Sequence, residues 1–356
     1  MSGFENGLSR GWEGKSSMAR VEIDGQKFLV DGKYTYEGRD FEGKPVEGLL
    51  LNVRTVQAIF DDENDATKHI WHYPDTSRWD PDRNVKEFAA ALPFWRQSGI
   101  LAVTVNLQGG MPVVKTEATQ PWINTGIQPD GSLKSAYQRR LERVLAAADE
   151  LGMAVIVGIY YFGQDKYMEN EDAVVMGVKN TVQWLLGTGR ENILLEINNE
   201  CDIPLYKWEI MYPERVPELI EIAKSITIDG RRLLVSTSFG GGSLPTAKIC
   251  ELSGFVLVHG NGQTADAIKH MVDDIRSMDE FKANPKPIVF NEDSVRVDNL
   301  DAAFEAYASW GYYDQGQNNY NDGHQSPPVN WTINTKEKKA FFGRVAEIAG
   351  GCLCEK

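Results

Sequence analysis

The amino-acid sequence predicts an α/β fold, a (β/α)8 barrel with a short β-hairpin extension at its N-terminus. Three observations lead there. Short apolar runs and longer amphipathic segments alternate in one series from Gly48 onward. No Pro/Ser-rich linker, low-complexity stretch or internal repeat interrupts that series. Almost every apolar run ends in a polar or aromatic residue, namely Arg54, Asn106, Tyr160, Glu200, Thr237, His259, Glu292 and Trp310. Such clustering at the C-terminal ends of strands marks the reactive face of a barrel. A doubly wound open sheet is the alternative arrangement of the same units. The division expected is an extension over 1–47 and a barrel over 48–356.

Taken in order, residues 1–47 read as short β segments with tight turns. The runs 27–30 and 34–36 flank Asp31-Gly32, a strong hairpin signal because both turn positions accept positive φ, and this segment is expected to cover the barrel bottom. The first barrel strand, 49–54, ends in Arg54. Residues 60–83 are rich in Asp, Asn, Trp and Pro, the composition of a long loop that builds binding walls. A helix over 85–97 stops at Gly99, and a strand over 100–106 leads to a second long loop with Trp122 and Asn124. The next helix, 135–151, places Leu141, Val144, Leu145, Ala148 and Leu151 at the three-and-four spacing of one buried face. A strand over 154–160 runs into Tyr161, and a helix over 171–186 follows. The fourth strand is Ile193-Leu194-Leu195-Glu196-Ile197-Asn198-Asn199-Glu200, apolar and then abruptly polar. Beyond it come a helix near 213–225, strands at 233–237 and 255–259, and a helix over 264–278. The seventh strand is Pro287-Ile288-Val289-Phe290-Asn291-Glu292. A helix over 300–308, an eighth strand within 309–314 and a helix over 336–348 complete the set.

Composition narrows the function classes. With 42% hydrophobic residues the chain has enough apolar material for one large core, yet no apolar run approaches the roughly 20 residues of a membrane span. The net charge of −14, with basic residues scattered, argues against a nucleic-acid partner, since phosphate binding needs a basic surface. No GxGxxG or GxxxxGK[ST] opens a helix, so dinucleotide and triphosphate sites lack their usual marker; no cofactor is expected. Cys201, Cys250, Cys352 and Cys354 show no framework spacing and read as free thiols. Met1-Ser2-Gly3-Phe4-Glu5-Asn6 lacks a basic segment followed by an apolar core. A trimmed exported chain would look the same, so localisation stays open between cytoplasm and secretion.

The chemistry lies in two strand ends. Glu200 and Glu292 each close an apolar run and sit far apart in sequence, which suggests a pair of carboxylates facing one pocket. Strand alternation puts Glu196, Asn198 and Glu200 on one face. Asn199-Glu200 ending the fourth strand, Glu196 four residues earlier and Glu292 ending the seventh strand resemble the signature of the clan A glycoside hydrolases, retaining enzymes on (β/α)8 barrels. The resemblance runs from the first strand to the last helix. It implies that Glu200 is the general acid/base, that Asn199 bonds the sugar 2-hydroxyl and that Glu292 is the nucleophile. It also implies a place near the cleaved sugar for His259 and Trp310, and a place beneath the nucleophile for Arg54. Asn106 and Tyr161 complete the expected substrate-binding set. The chain departs from the pattern at Cys201, where many families have proline, and at Asp293, directly after Glu292.

The reaction explains the residue types. A glycosidic oxygen is a poor leaving group, so one carboxylic acid donates a proton while the other carboxylate stabilises the anomeric carbon, and retention requires the two about 5–5.5 Å apart. One carboxyl must stay protonated near neutral pH, through burial and the nearby ionised partner. Trp71, Trp79, Trp122, Tyr161 and Trp310 would offer flat faces to sugar rings. Each assignment has a plainer rival. Glu196 reads better as a buried carboxylate paired to an arginine, His259 also reads as a satisfied core histidine, and Trp310 as a residue that closes the barrel. The loop tryptophans read equally well as loop packing. Cys201, turned away by alternation, reads as packing. His69, His72, His270 and His324 show no ligand spacing, so no metal is expected. The function predicted is a retaining O-glycoside hydrolase acting on a β-linked oligosaccharide or glycoconjugate. A sugar-binding barrel without catalysis and a metal-dependent barrel hydrolase are the rivals.

Overall fold

Pairing of the first and last barrel strands decides the architecture. The computed structural model describes residues 18–112, 120–316 and 320–353; Met1 to Asn6 and Cys354 lie outside them. Eight parallel strands form the ring: β6 (Asn52–Arg54), β7 (Ala102–Asn106), β8 (Ala154–Tyr160), β9 (Ile193–Asn198), β10 (Leu234–Ser236), β11 (Val256–His259), β12 (Ile288–Glu292) and β13 (Gly311–Tyr312). β13 pairs with β6 in parallel, Gly311 opposite Asn52, which closes the barrel and sets aside the open sheet. β12 reaches β13 through a parallel bridge between Val289 and Ser309. β10 and β11 meet through the Gly254 N–H, which donates to the Val235 carbonyl at 2.8 Å.

Alternation along the strands separates two apolar populations. Val103 and Val105 of β7 face the helical shell, whereas Ala102 joins Leu50, Ala154, Ile156, Leu194, Leu257 and Val289 inside the ring. The shell consists of α1 (Pro81–Ser98), α2 (Ser135–Glu150), α3 (Glu171–Gly187), α4 (Val216–Ser225), α5 (Ala247–Leu252), α6 (Ala265–Ser277), α7 (Asp279–Ala283), α8 (Val297–Glu305) and α9 (Lys336–Ala349). Helix α1 starts where Asp80 caps the Arg83 N–H with Pro81 at the first position, and ends at Gly99 with φ of 108°. These are the expected start and stop devices. A side chain at Gly99 would also strike Ala349 of α9. Leu141, Val144, Leu145 and Ala148 form the buried face of α2, while Leu151 is its C-cap. Two short helices were not anticipated: α5, capped by Thr246, and α7, which follows a break at Met278. Both are too short to carry a readable period. Among the described residues no helix is long and apolar enough to cross a membrane.

The N-terminal segment forms β1 (Val21–Asp24), β2 (Lys27–Val30) and β3 (Lys33–Tyr34) in one antiparallel sheet, then β4 (Asp40–Phe41) and β5 (Lys44–Pro45). Val30 pairs with Lys33 across Asp31 and Gly32, whose φ values are 56° and 73°, as a two-residue hairpin loop demands. The second run ends at Tyr34 because Tyr36 takes φ of 49°, sending its hydroxyl to the Gly99 carbonyl at 2.6 Å. Val21 and fully buried Phe28 pack into the inner cluster, with Phe28 edge-on to Phe255 at 6.5 Å. The sheet thus plugs the end of the barrel opposite the polar strand ends. Phe28→Ala should cost about 3–5 kcal/mol of stability, read as a lower urea midpoint at unchanged slope; an unaltered midpoint would refute the plug.

Candidate active site

Arg54 stands at the end of β6 with its side chain 1% exposed. Its Nε donates to Glu292 Oε2 and its Nη2 to Asn199 Oδ1, so one planar guanidinium ties the ends of β6, β9 and β12. Glu292 Oε1 accepts from Asn261 Nδ2 at 2.8 Å. Across the mouth, His259 Nδ1 lies 2.9 Å from Glu200 Oε1 and 3.8 Å from Glu292 Oε2. Ligand-type atoms of Glu200, His259 and Glu292 all fall within 4.8 Å of one another. The structure therefore brings Arg54, Asn199, Glu200, His259 and Glu292 together.

The electrostatics differ between the two glutamates. Burial pushes the Glu200 carboxyl up to about 7; Arg54 opposes the rise and Asp202 adds to it. The cause differs from the expected one, since burial dominates and the charge that helps is Asp202 rather than Glu292. Glu292 instead receives two N–H donors, one of them cationic. His259 is fully buried, and burial holds its imidazole below the usual value; the charges of Glu292, Glu196 and Asp202 oppose that shift and Arg54 adds to it. Burial likewise raises the Glu196 carboxyl. Its hydrogen-bond partner is the Ser238 hydroxyl, and Arg54 acts on it through charge rather than as the paired arginine expected.

Strict alternation fails at the end of β9. Glu196 lies within electrostatic reach of Arg54, His259 and Glu292. Asn198 turns elsewhere: its Nδ2 donates to the Met211 carbonyl at 2.9 Å and its Oδ1 accepts from Thr237 Oγ1 at 2.8 Å. Asn199 is the residue that meets Arg54. The ladder between β8 and β9 ends at Tyr160 and Asn198, and Glu200 takes φ of 50°, so the pleat no longer dictates direction. Cys201 is buried in the outer core, as packing requires.

The remaining expectations divide. Tyr161 is buried beside the mouth, where burial and the charges of Glu292 and Glu200 hold its phenol well above the ordinary range. Asn106 is buried with its amide over Gly158, and neither of its amide atoms has a hydrogen-bond partner among the described residues. Trp310 is a correction. It is fully buried, packs on Phe341 of α9 at 5.8 Å and donates from Nε1 to Asp293 Oδ2 at 2.7 Å. Tyr312, of the same parity, stacks on Phe341 as well. Gly311 faces the Asn52 side chain inside, and the next residue of that parity, Tyr313, feels Glu292, Tyr161, Arg54 and Glu200. Tyr313, rather than Trp310, is thus the aromatic residue that this strand brings to the mouth. Asp293, the departure from the family pattern, braces the outer side, accepting from Trp310 and Asn299. Trp71 and Trp122 follow the loop-packing alternative: both are buried around Phe60, with Trp71 Nε1 donating to Asp62 at 2.7 Å. Trp79 stacks on Tyr73. Asn261 carries no role in the sequence reading; its place two residues past His259 was the available signal.

The three-residue donor set satisfies the minimum for a cation, but its surroundings do not suit one. Both Glu292 oxygens already accept N–H bonds, and the guanidinium of Arg54 sits against the carboxylate. A divalent ion would displace these donors and face a permanent positive charge.

Solved structures share this architecture. They include a GH5-4 broad specificity endoglucanase from Bacteroides salanitronis, with a TM-score of 0.56 and 11% identity over 88% of this chain and 98% of that one. A GH5-4 broad specificity endoglucanase from an uncultured bacterium gives 0.52 and 13% over 85% and 94%. A GH5 xyloglucan-specific endo-beta-1,4-glucanase from a metagenomic library, in complex with cellotriose, gives 0.54 and 11% over 85% and 96%. No protein-family model matches the chain, and comparison with curated proteins finds no match. At these identities the likeness establishes the fold alone, a (β/α)8 barrel.

Arg54→Met would leave the Glu292 carboxylate buried beside an apolar chain, a loss of about 3–5 kcal/mol. Adding Glu292→Gln should restore much of it in urea unfolding. Simple additivity of the two losses would show that the pair is not coupled.

Proposed function

We propose that the protein is a retaining glycoside hydrolase acting on a β-linked glucan or related β-linked oligosaccharide. The observation that carries this reading is the pair Glu200 and Glu292, with carboxylate oxygens within 4.8 Å in contrasting environments. Retaining enzymes hold their carboxyls about 5–5.5 Å apart, inverting ones about 6.5–9.5 Å. The substrate class follows the names of structures that share the fold, broad specificity endoglucanases and a xyloglucan-specific endo-beta-1,4-glucanase.

In the proposed reaction Glu292 attacks the anomeric carbon and Glu200 gives its proton to the glycosidic oxygen, so that the leaving sugar departs as an alcohol. Water then attacks the glycosyl ester, its proton passes to Glu200, and Glu292 leaves as the carboxylate. Arg54 and Asn261 aim the Glu292 oxygens and stabilise negative charge on them. With Asn199 Oδ1 held by Arg54, its Nδ2, buried and without a partner among the described residues, remains to donate to a substrate hydroxyl. Tyr161 and Tyr313 supply the aromatic walls.

Two measurements test the proposal. Against aryl β-glycosides and β-glucans, Glu292→Gln should abolish turnover with the fold intact, and azide should restore a Glu292→Gly variant by forming a glycosyl azide of inverted configuration. Full activity in Glu292→Gln rejects the assignment, and sugar binding without turnover by the unaltered protein favours a binding barrel. Because the acid must carry its proton, kcat/KM should fall about tenfold per pH unit above about pH 7, where burial has placed Glu200. A rate that stays level to pH 9 would remove Glu200 from the acid role.

A further inference from the structure

We infer that Ser238 is a positioning residue that holds the proton donor, clamping the left-handed turn on which Glu200 is carried. The inference rests on the acid/base role proposed for Glu200. That residue has φ of 50°, a conformation that a side chain with a Cβ rarely adopts and keeps only when its surroundings enforce it. The enforcement comes from the segment after β10. Glu200 N–H donates to Ser238 Oγ at 3.0 Å, and the next amide, Cys201 N–H, donates to the Ser238 carbonyl at 2.9 Å. One residue thus takes two consecutive amides of the turn, one with its side chain and one with its backbone. Two further contacts flank them: the Thr237 hydroxyl hydrogen is shared between the carbonyl and side-chain oxygens of Asn198, at 2.9 and 2.8 Å, and Gly240 N–H donates to Asp202 Oδ1 at 2.6 Å.

The hydroxyl also has a fixed direction. Ser238 Oγ donates its single hydrogen to Glu196 Oε1 at 2.5 Å, which turns a lone pair toward the Glu200 amide. Glu196 is wholly buried and has no part in the proposed bond cleavage. Its place in the structure is explained by this chain of carboxylate, hydroxyl and amide, which runs from the barrel interior to the backbone of the acid. Loss of the clamp would let the turn relax and move the Glu200 carboxyl away from the glycosidic oxygen, while Glu292 stays held by Arg54 and Asn261.

Proton donation matters most when the leaving group is poor, so a leaving-group series separates this role from general support. In the full-length protein, Ser238→Ala should lose at least tenfold in kcat/KM on phenyl β-glycosides and on cello-oligosaccharides, but less than threefold on 2,4-dinitrophenyl β-glycosides, whose leaving group needs no proton. Ser238→Thr should recover most of the loss. Glu196→Gln, which keeps the hydroxyl but changes what orients it, should show the same selective loss and serves as the test if Ser238→Ala does not fold. Equal losses on both substrate types, or no loss, would overturn the inference. Absence of turnover by the unaltered protein on every substrate would instead overturn the glycosidase reading itself.

Discussion

The buried guanidinium of Arg54 is the constraint on which the mouth of the barrel depends. Three glutamates, Glu196, Glu200 and Glu292, crowd its surroundings, and removing an ion from water costs several kcal/mol unless partners compensate. Arg54 answers to all three and touches Asn199 and Glu292 directly. Its own position follows from ring closure, because β6 is held between β7 on one side and β13 on the other. Closing the barrel and assembling the site are therefore one structural event. A barrel left open between β13 and β6 would lose the cation that organises the carboxylates.

Strand ends were legible because a parallel strand buried on both faces is an apolar run, and its polar terminus interrupts that run visibly. Arg54, Asn199, Glu200, His259 and Glu292 were found that way. Side-chain direction was less legible. At the eighth strand Trp310 looked like the aromatic wall, yet it shares parity with Tyr312 and packs on α9, leaving Tyr313 at the mouth. At the fourth strand the ladder ended before Glu200, and a period of two had no hold beyond it. The tryptophans of the long loops were left between two readings for another reason. Trp71 is anchored to Asp62, which also accepts from Thr67 Oγ1 and the distant Ile123 N–H. That network knits two loops together, and composition alone cannot announce it.

The barrel interior changes character along its axis. At the plugged end it is closed by Phe28, Leu50, Phe255 and Val289. Toward the mouth come Asn52, Thr104, Asn106 and Asn291, each buried with at least one polar atom that has no partner among the described residues. Unpaired buried polar groups cost stability. That cost concentrates beneath the carboxylates, and the apolar plug and the helical shell offset it. The interior glycines fit the same picture, since a Cβ at Gly158 would strike the Asn106 amide and one at Gly311 the Asn52 amide. The strands give up side-chain volume where polar groups need room.

What finally separates the two proposed catalytic glutamates is environment rather than residue type. Glu292 has N–H donors on both oxygens, so negative charge on it is met at once by a guanidinium and an amide. Glu200 contacts the buried His259 imidazole and lies near Asp202, with no cation bonded to it among the described residues, and burial raises its carboxyl to about 7. Exchanging the roles would require a proton to sit on the carboxyl that touches Arg54 and a bare charge on the one that does not, which costs energy at both ends. Under the proposed mechanism, the barrel therefore assigns donation to Glu200 and attack to Glu292 before any substrate arrives. That order is set by three strand ends, β6, β9 and β12, held at fixed distance by the ring.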